Sequence, residues 1–541
     1  MPSTSVWTEL VRSLRDPGGL RARGAAVGFA TALVSGACAA AIAALTGIGI
    51  GAVILAVMLS ISLTERRLGR SARERWAAVV TVPAVALLAA GVAWLLLSAW
   101  WAGAAVFVLV VSGGIWIRRF GPPWQRIGTL ATLPLITVLV VPAPPGQGGG
   151  FALWAPMIAL ITLLWAIALQ WLARRIGLVA PAGGTRAAAA LSPALSPARS
   201  AGGPGTPARA SGRPGGRLSA HARLAIQMAA GLALAFLLGR LLFGDHWPWV
   251  VITAFIVASG NRGRGDVLYK GVHRTVGGLG GTALAALLAL VALLAGAGRP
   301  DASGSALIVA SIAVILAIGL WLRPSGYGWW AAAMTAMLSL VSELTGVAPL
   351  PALLARLLAI LLGGVIATAI AWFVLPVRTG DVLRRRTADA LAAIAELLAS
   401  CVKDPAGIPE ARRRLADETE RLVQLAPTLR AERLSRRVPA GSSHRSEIIP
   451  AVRALADTMD AISSGIRAES PLSAAAQRDL AAIARRLGAM RLLLRGTVPE
   501  PAPELAPDAL PAMRELADAV EALRGPLSAL GRRPSPASPA A

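Results

Sequence analysis

The chain is poor in the side chains on which most enzymes rely. It has two cysteines and four histidines in 541 residues. Cys38 lies inside an apolar block and Cys401 near the end of a charged helical stretch, so neither a disulfide framework nor a thiolate zinc site is available. No Gly-x-x-x-x-Gly-Lys-Ser/Thr loop is present to cradle phosphate, no His-Glu-x-x-His pair, and no Ser/His/Asp set within the apolar blocks. The expectation is a protein that is not an enzyme, with no catalytic residue, metal or cofactor. Acids are also few: 28 Asp and Glu against 53 basic residues, nearly all arginine, for a formal charge of +25. The middles of the apolar blocks hold no Asp or Glu. A proton relay through a membrane core therefore lacks obvious members, which favours a passive anion pathway over proton antiport.

What fills the chain is apolar: 55% of residues are hydrophobic. Blocks such as Val79–Leu97 and Ile308–Leu322 are apolar throughout instead of alternating. A hydrocarbon core about 30 Å thick needs such blocks, and without period-two alternation only helices can span it. The fold class expected is all-α, with about twelve transmembrane helices. The first six are Ala25–Leu45, Ile48–Leu63, Ala77–Leu97, Trp101–Ile117, Ile127–Val141 and Ala152–Leu172. The second six are Leu224–Phe243, Trp249–Ser259, Val276–Leu294, Ala306–Leu322, Trp329–Leu344 and Leu353–Leu375. Arginines collect in alternate loops: Arg66, Arg67, Arg70, Arg73 and Arg75, then Arg118, Arg119 and Arg126, then Arg174 and Arg175. The positive-inside rule puts these loops and both termini in the cytoplasm of a bacterial-type inner or plasma membrane. It also accounts for the surplus charge without nucleic acid.

The two sets of spans read as repeats. Trp116, Arg118, Gly121 and Trp124 correspond to Trp321, Arg323, Gly326 and Trp329 at one offset (321 − 116 = 205). An even number of spans per repeat makes the repeats parallel. The domain reading is a cytoplasmic amino-terminus over 1–24, a degenerate six-span repeat over 25–176 and a Pro/Gly/Ser/Arg linker over 177–220. A second repeat follows over 221–378, a cytoplasmic bundle of about four or five helices over 379–531, and a Pro/Ser tail over 532–541. Within the bundle, Ile449, Val452, Leu455, Met459, Ile462 and Ile466 fall at helical spacing, as do Leu510, Met513, Leu516, Val520 and Leu523.

The stretch 245–281 organises the second repeat. It reads as an outer loop, Asp245-His246-Trp247-Pro248, a short apolar run, a basic loop from Asn261 to Arg274, and a small-residue helix start, Thr275-Val276-Gly277-Gly278-Leu279-Gly280-Gly281. Trp247-Pro248-Trp249, the basic loop, Arg274 with its glycines, Arg356 through Gly363-Gly364 and the exit Pro376-Val377-Arg378 resemble the fusaric acid resistance (FUSC) family of the aromatic acid exporter superfamily. Gly278 stands where that family usually has Thr. The resemblance is clear over about 221–400 and implies export of aromatic carboxylates and related compounds. A wider likeness to aluminium-activated malate transporters, six-span anion channels, implies a covalent pseudo-dimer with a pathway at the interface of its halves. The partners implied are the lipid bilayer and a small organic anion, with a second copy or a cytoplasmic partner of the carboxy-terminal helices left open.

Charges within spans mark function by default. Arg240, Glu343 and Arg356 qualify, all toward outer ends. They read either as a cationic ring that draws anions into a vestibule, or as a snorkelling Arg240 or an Arg240–Glu343 structural pair. Asp245 and His246 read as a proton-accepting pair, or Asp245 as a helix cap before Pro248. Trp247, Trp249, Trp329 and Trp330 read as interfacial belt residues or as a stacking surface. Gly277, Gly278, Gly281, Gly363 and Gly364 read as close helix contacts. The short spans Ile48–Leu63 and Trp249–Ser259 hold matching places in the two repeats, which is a pointer to a transport site. Two other readings are an anion channel on this scaffold and a membrane-anchored scaffold for the carboxy-terminal helices.

Overall fold

A computed structural model describes residues 20–48, 51–65, 72–121, 148–178, 219–294, 302–344, 350–435, 445–466, 473–494 and 509–531, with a few isolated positions between them. Every regular element among these residues is helical. Contacts divide the chain into two compact units. One comprises Met1–Asn261 with Lys270–Pro376, the other Arg262–Tyr269 with Val377–Ala541.

In the first unit the helices are α1 (Leu20–Thr46), α2 (Gly51–Glu65), α3 (Ala72–Ser98), α4 (Trp100–Trp116) and α5 (Gly148–Arg175), then α6 (Ala220–Phe243), α7 (Trp247–Ala258), α8 (Arg264–Leu294), α9 (Ala302–Leu322), α10 (Tyr327–Leu344) and α11 (Leu350–Phe373). Six described stretches are long and apolar enough to cross a bilayer: Ala22–Thr46, Ala78–Ser98, Trp100–Phe120, Trp154–Arg175, Ala220–Ala258 and Leu354–Phe373. Six such helices are the pattern of a multi-pass membrane protein. The span expected at Ile127–Val141, the 177–220 linker and the 532–541 tail fall almost wholly outside the described residues.

The matching segments of the two halves fold alike. Both short spans are short helices: α2 has 15 residues and α7 has 12. At 1.5 Å per residue α7 is about 18 Å long, well under the core thickness. Both Trp/Arg motifs end their helices in a 3₁₀ turn, Ile117–Phe120 and Arg323–Ser325. The contacts also run in parallel: α1 with α2, α2 with α5 and α1 with α5 on one side, α6 with α7, α7 with α11 and α6 with α11 on the other.

The basic loop expected from Asn261 to Arg274 is mostly helix. The chain turns at Gly263 (φ 125°), a left-handed geometry that glycine adopts without strain, and α8 starts at Arg264. The Asp266 carboxylate accepts the Arg262 N–H (3.3 Å) and fixes that start. Charge misled the reading, because these cations are absorbed by protein groups. Lys270 Nζ donates to the Ser259 carbonyl (3.0 Å), holding the end of α7. Arg262 donates to the side-chain and main-chain oxygens of Gln424 (2.8 and 3.2 Å).

The second unit carries α12 (Thr379–Lys403), α13 (Ile408–Val423), α14 (Ala426–Ser435), α15 (Ile448–Gly465), α16 (Ala474–Leu494), α17 (Pro511–Glu521) and α18 (Arg524–Gly531). The expected apolar registers form most of its core: Leu391, Ile394 and Leu398 meet Leu415, Leu422, Val452, Met459, Leu516 and Val520, all buried, while Leu510, just before α17, is exposed. It includes one segment not foreseen, Arg262–Tyr269. Gly265 N donates to Thr379 Oγ1 (3.3 Å), and Arg264 N to the Val377 carbonyl (3.0 Å).

Candidate anion site

The twelve-residue α7 follows α6 after a single turn, Gly244–His246, with Pro248 in its first turn as the sequence led one to expect. Asp245 does not cap it. His246 holds the cap position without a side-chain bond, and the fully exposed Asp245 lies 3.9 Å from Arg240. One residue of 3₁₀ turn carries the carboxylate away from the helix it would have capped. Arg240 and Asp245 are thus a solvent-facing pair in the last turn of α6 and the turn that follows it. Trp247 packs its ring on Phe236 (centroids 5.3 Å).

Close glycine contacts set α11 against α7 and α8 against α10. Gly363 of α11 brings that helix against α7: a Cβ there would lie 2.5 Å from the Val250 carbonyl oxygen and 2.8 Å from Thr253 Cβ. On α8, a Cβ at Gly277 would lie 2.6 Å from the Gly328 carbonyl oxygen, and Gly281 is tighter still against Ala332 of α10. Gly278 and Gly364 make ordinary contacts with Ile360 and Gly271. Small residues let these backbones approach where lipid gives no hydrophobic drive.

Arg356 extends into this packing. It is 4% exposed, and its guanidinium lies 3.5 Å over the centre of the Trp249 ring. One nitrogen donates to Ser339 Oγ of α10 (2.8 Å). Nε and the other terminal nitrogen are buried with no hydrogen-bond partner. Arg274 of α8, 3% exposed, also has a buried Nε without a partner. It is near enough to Arg356 to repel it, and near the Tyr327 hydroxyl, itself buried and unpartnered. The hydroxyls of Thr253 and Thr282 are buried without partners as well. Among the described side chains of this unit the acid is Asp245, at the surface. A buried guanidinium is costly unless compensated. A ring face offsets part of that cost, worth about 2 kcal/mol when desolvated. The remaining donors suit an oxyanion, which a guanidinium holds with charge-assisted bonds.

Of the residues singled out in the sequence, the structure brings Arg356 over the ring of Trp249, pairs Arg240 with Asp245, and sets Trp247 on Phe236. Glu343 belongs to α10, but its side chain lies outside the described residues. Arg274, expected as a motif and packing residue, is a buried cation. Ser339 and Tyr327 were missed. Neither stands out in sequence, since a serine and a tyrosine in an apolar helix are unremarkable until an arginine from another helix reaches them.

No curated protein matches the chain. The Fusaric acid resistance protein family matches it over residues 218–541, which takes in α6 to α11 and the whole of the second unit. That is more than half of the sequence and includes the buried arginines Arg274, Arg323 and Arg356, Trp249 and the packing glycines, and the chain belongs to this family of membrane transporters.

Proposed function

We propose that the chain exports organic, chiefly aromatic, carboxylate anions across an inner or plasma membrane, with Arg356 and Trp249 on the anion's path. The observation that carries this is a buried guanidinium stacked on an indole, with two donor nitrogens unused and no described carboxylate beside it. An aromatic carboxylate complements both parts, since its charge suits the guanidinium and its ring suits the surrounding apolar side chains. Retaining such a residue in an apolar bundle costs stability, and intramembrane arginines are kept where they serve a pathway.

The architecture we infer is two parallel six-helix repeats, with both termini and the α12–α18 bundle cytoplasmic. Two exchanged contacts support it: α4 of the first half packs on α6 of the second, and α9 of the second packs on α1 of the first. These are the pairs that a twofold axis along the membrane normal would interchange. The broken stretch Ala220–Ala258, with α7 too short to span, supports a binding position at the start of α7.

A channel on the same scaffold is the second reading, favoured by the lack of a described acid near Arg356. Flux of benzoate and of malate into liposomes holding the purified chain, with and without a pH gradient, separates the two. Exporter coupling requires dependence on the gradient, whereas a channel requires none. Loss of flux in Arg356→Ala supports the site in either case. Undiminished flux in that variant, or no flux in folded wild type, overturns it.

A further inference from the structure

We propose that the chain holds a second anion site, formed by the Arg274 guanidinium and the Tyr327 hydroxyl and separate from the one at Arg356. The proposal takes its ligand class, a carboxylate, from the transport reading above. The site itself follows from how α8 lies against α10 and α11.

α8 and α11 run antiparallel. Gly271 faces Gly364 and Thr368, and seven residues later Gly278 faces Ile360. Arg274 precedes Gly278 by four residues and Arg356 precedes Ile360 by four, so the two arginines lie on opposite sides of that level. At 1.5 Å per residue their Cα atoms are about 12 Å apart along the bundle. This distance permits one carboxylate at each guanidinium.

The partner of Arg274 at its own level is the start of α10. Gly277 packs on the Gly328 carbonyl and Ala331, and His273 lies against Gly328, so Arg274 is in register with Tyr327. Both groups are donors: a guanidinium Nε and a phenolic O–H, each shut off from solvent without an acceptor. Comparison with Lys270, one turn earlier on α8, is informative. Its ammonium is satisfied by the Ser259 carbonyl, as a structural cation should be. A water molecule at Arg274 would accept the two hydrogen bonds but leave the charge uncompensated. An oxyanion satisfies all three requirements. The other described ionisable groups on the adjoining turns, Lys270, His273 and Arg323, are basic, so no described acid on those turns competes with it.

Two sites in sequence, each binding weakly because the neighbouring charge is shared, provide the entry and release that conduction requires. The test is equilibrium binding of radiolabelled benzoate to the full-length chain in lipid nanodiscs. Wild type is expected to bind two benzoates. Arg356→Ala should keep one, and Tyr327→Phe should weaken that one about tenfold, as loss of one hydrogen bond to a charged group implies. Arg274→Lys retains the charge and the bundle but lacks Nε, and should weaken the same site. One benzoate per wild-type chain, unaffected by Tyr327→Phe and by Arg274→Lys, would overturn the second site and leave the Arg356 site standing. Binding that depends on Tyr327 and not on Arg356 would do the reverse. No binding at all would overturn both.

Discussion

Replacing Gly277 by alanine puts a methyl group 2.6 Å from the Gly328 carbonyl oxygen, 2.8 Å from Ala331 Cβ and 3.1 Å from Ala332 N. Two of these atoms are backbone and the third is a rigid Cβ, so no rotamer change relieves the overlap. α8 and α10 must part by close to 1 Å, near the gap at which packed atoms lose a quarter to a half of their attraction. Overpacking of this kind costs about 1–3 kcal/mol, against which alanine in place of glycine returns about 0.5–1 kcal/mol in a helix. A net loss of about 1–2 kcal/mol is expected. Gly280, three residues on, is the control: a Cβ there meets nothing within 4 Å, so Gly280→Ala should be neutral or gain about 0.5–1 kcal/mol. In one detergent at one scan rate, Gly277→Ala should unfold at a lower apparent temperature than wild type and Gly280→Ala at one no lower than wild type, with shifts of about 2–4 °C per kcal/mol. Equal behaviour of Gly277→Ala and Gly280→Ala would refute the α8–α10 contact and, with it, the register that sets Arg274 beside Tyr327.

Other expectations concern the second unit. Arg262→Ala removes two charge-assisted bonds to Gln424 and should lower the stability of the full chain by about 2–4 kcal/mol, measured by urea unfolding; an unchanged midpoint would contradict those bonds. Burial pushes the Cys401 thiol up, so in the native chain it should resist maleimide at pH 7.5 and react only on unfolding; rapid labelling would contradict its place in the core. Burial raises the Glu420 carboxyl above its usual range, outweighing the attraction of Arg453 and Arg262. Its contribution to stability is therefore complete below the unfolded carboxylate range and declines as pH rises through the folded value. Glu420→Gln should raise the unfolding temperature at pH 7 and lose that advantage near pH 4; an advantage that grows on acidification would reverse the sign and the argument.

Many helices of the first unit were legible because hydrophobic blocks report directly on apolar helices, six of them long enough to cross a bilayer. The paired short helices, the matching Trp/Arg turns and the glycine contacts were all readable as patterns. The limits have identifiable physical causes. A run of Arg262, Arg264, Lys270 and Arg274 looks like a solvated loop, yet each of Arg262 and Lys270 bonds to carbonyl or amide oxygens that only the fold supplies. Asp245 before Trp-Pro resembles a cap, but one 3₁₀ residue changes its direction. Periodicity found the apolar faces of α12, α13, α15 and α17, whereas the inclusion of Arg262–Tyr269 in that unit depends on bonds across more than a hundred residues, to Thr379 and Gln424. Arg356 and Trp249 were each conspicuous in the sequence; their stacking required α7 and α11 to cross at Gly363.

The most direct test of the account is a structure of the chain determined with 4-bromobenzoate, the bromine marking the ligand's position. The account predicts the carboxylate on the Nε and free terminal nitrogen of Arg356, on the edge not engaged by Ser339, with the ring against the apolar side chains near Trp249. Arg356 bonded instead to a protein carboxylate, with bromobenzoate absent or bound elsewhere, would contradict it.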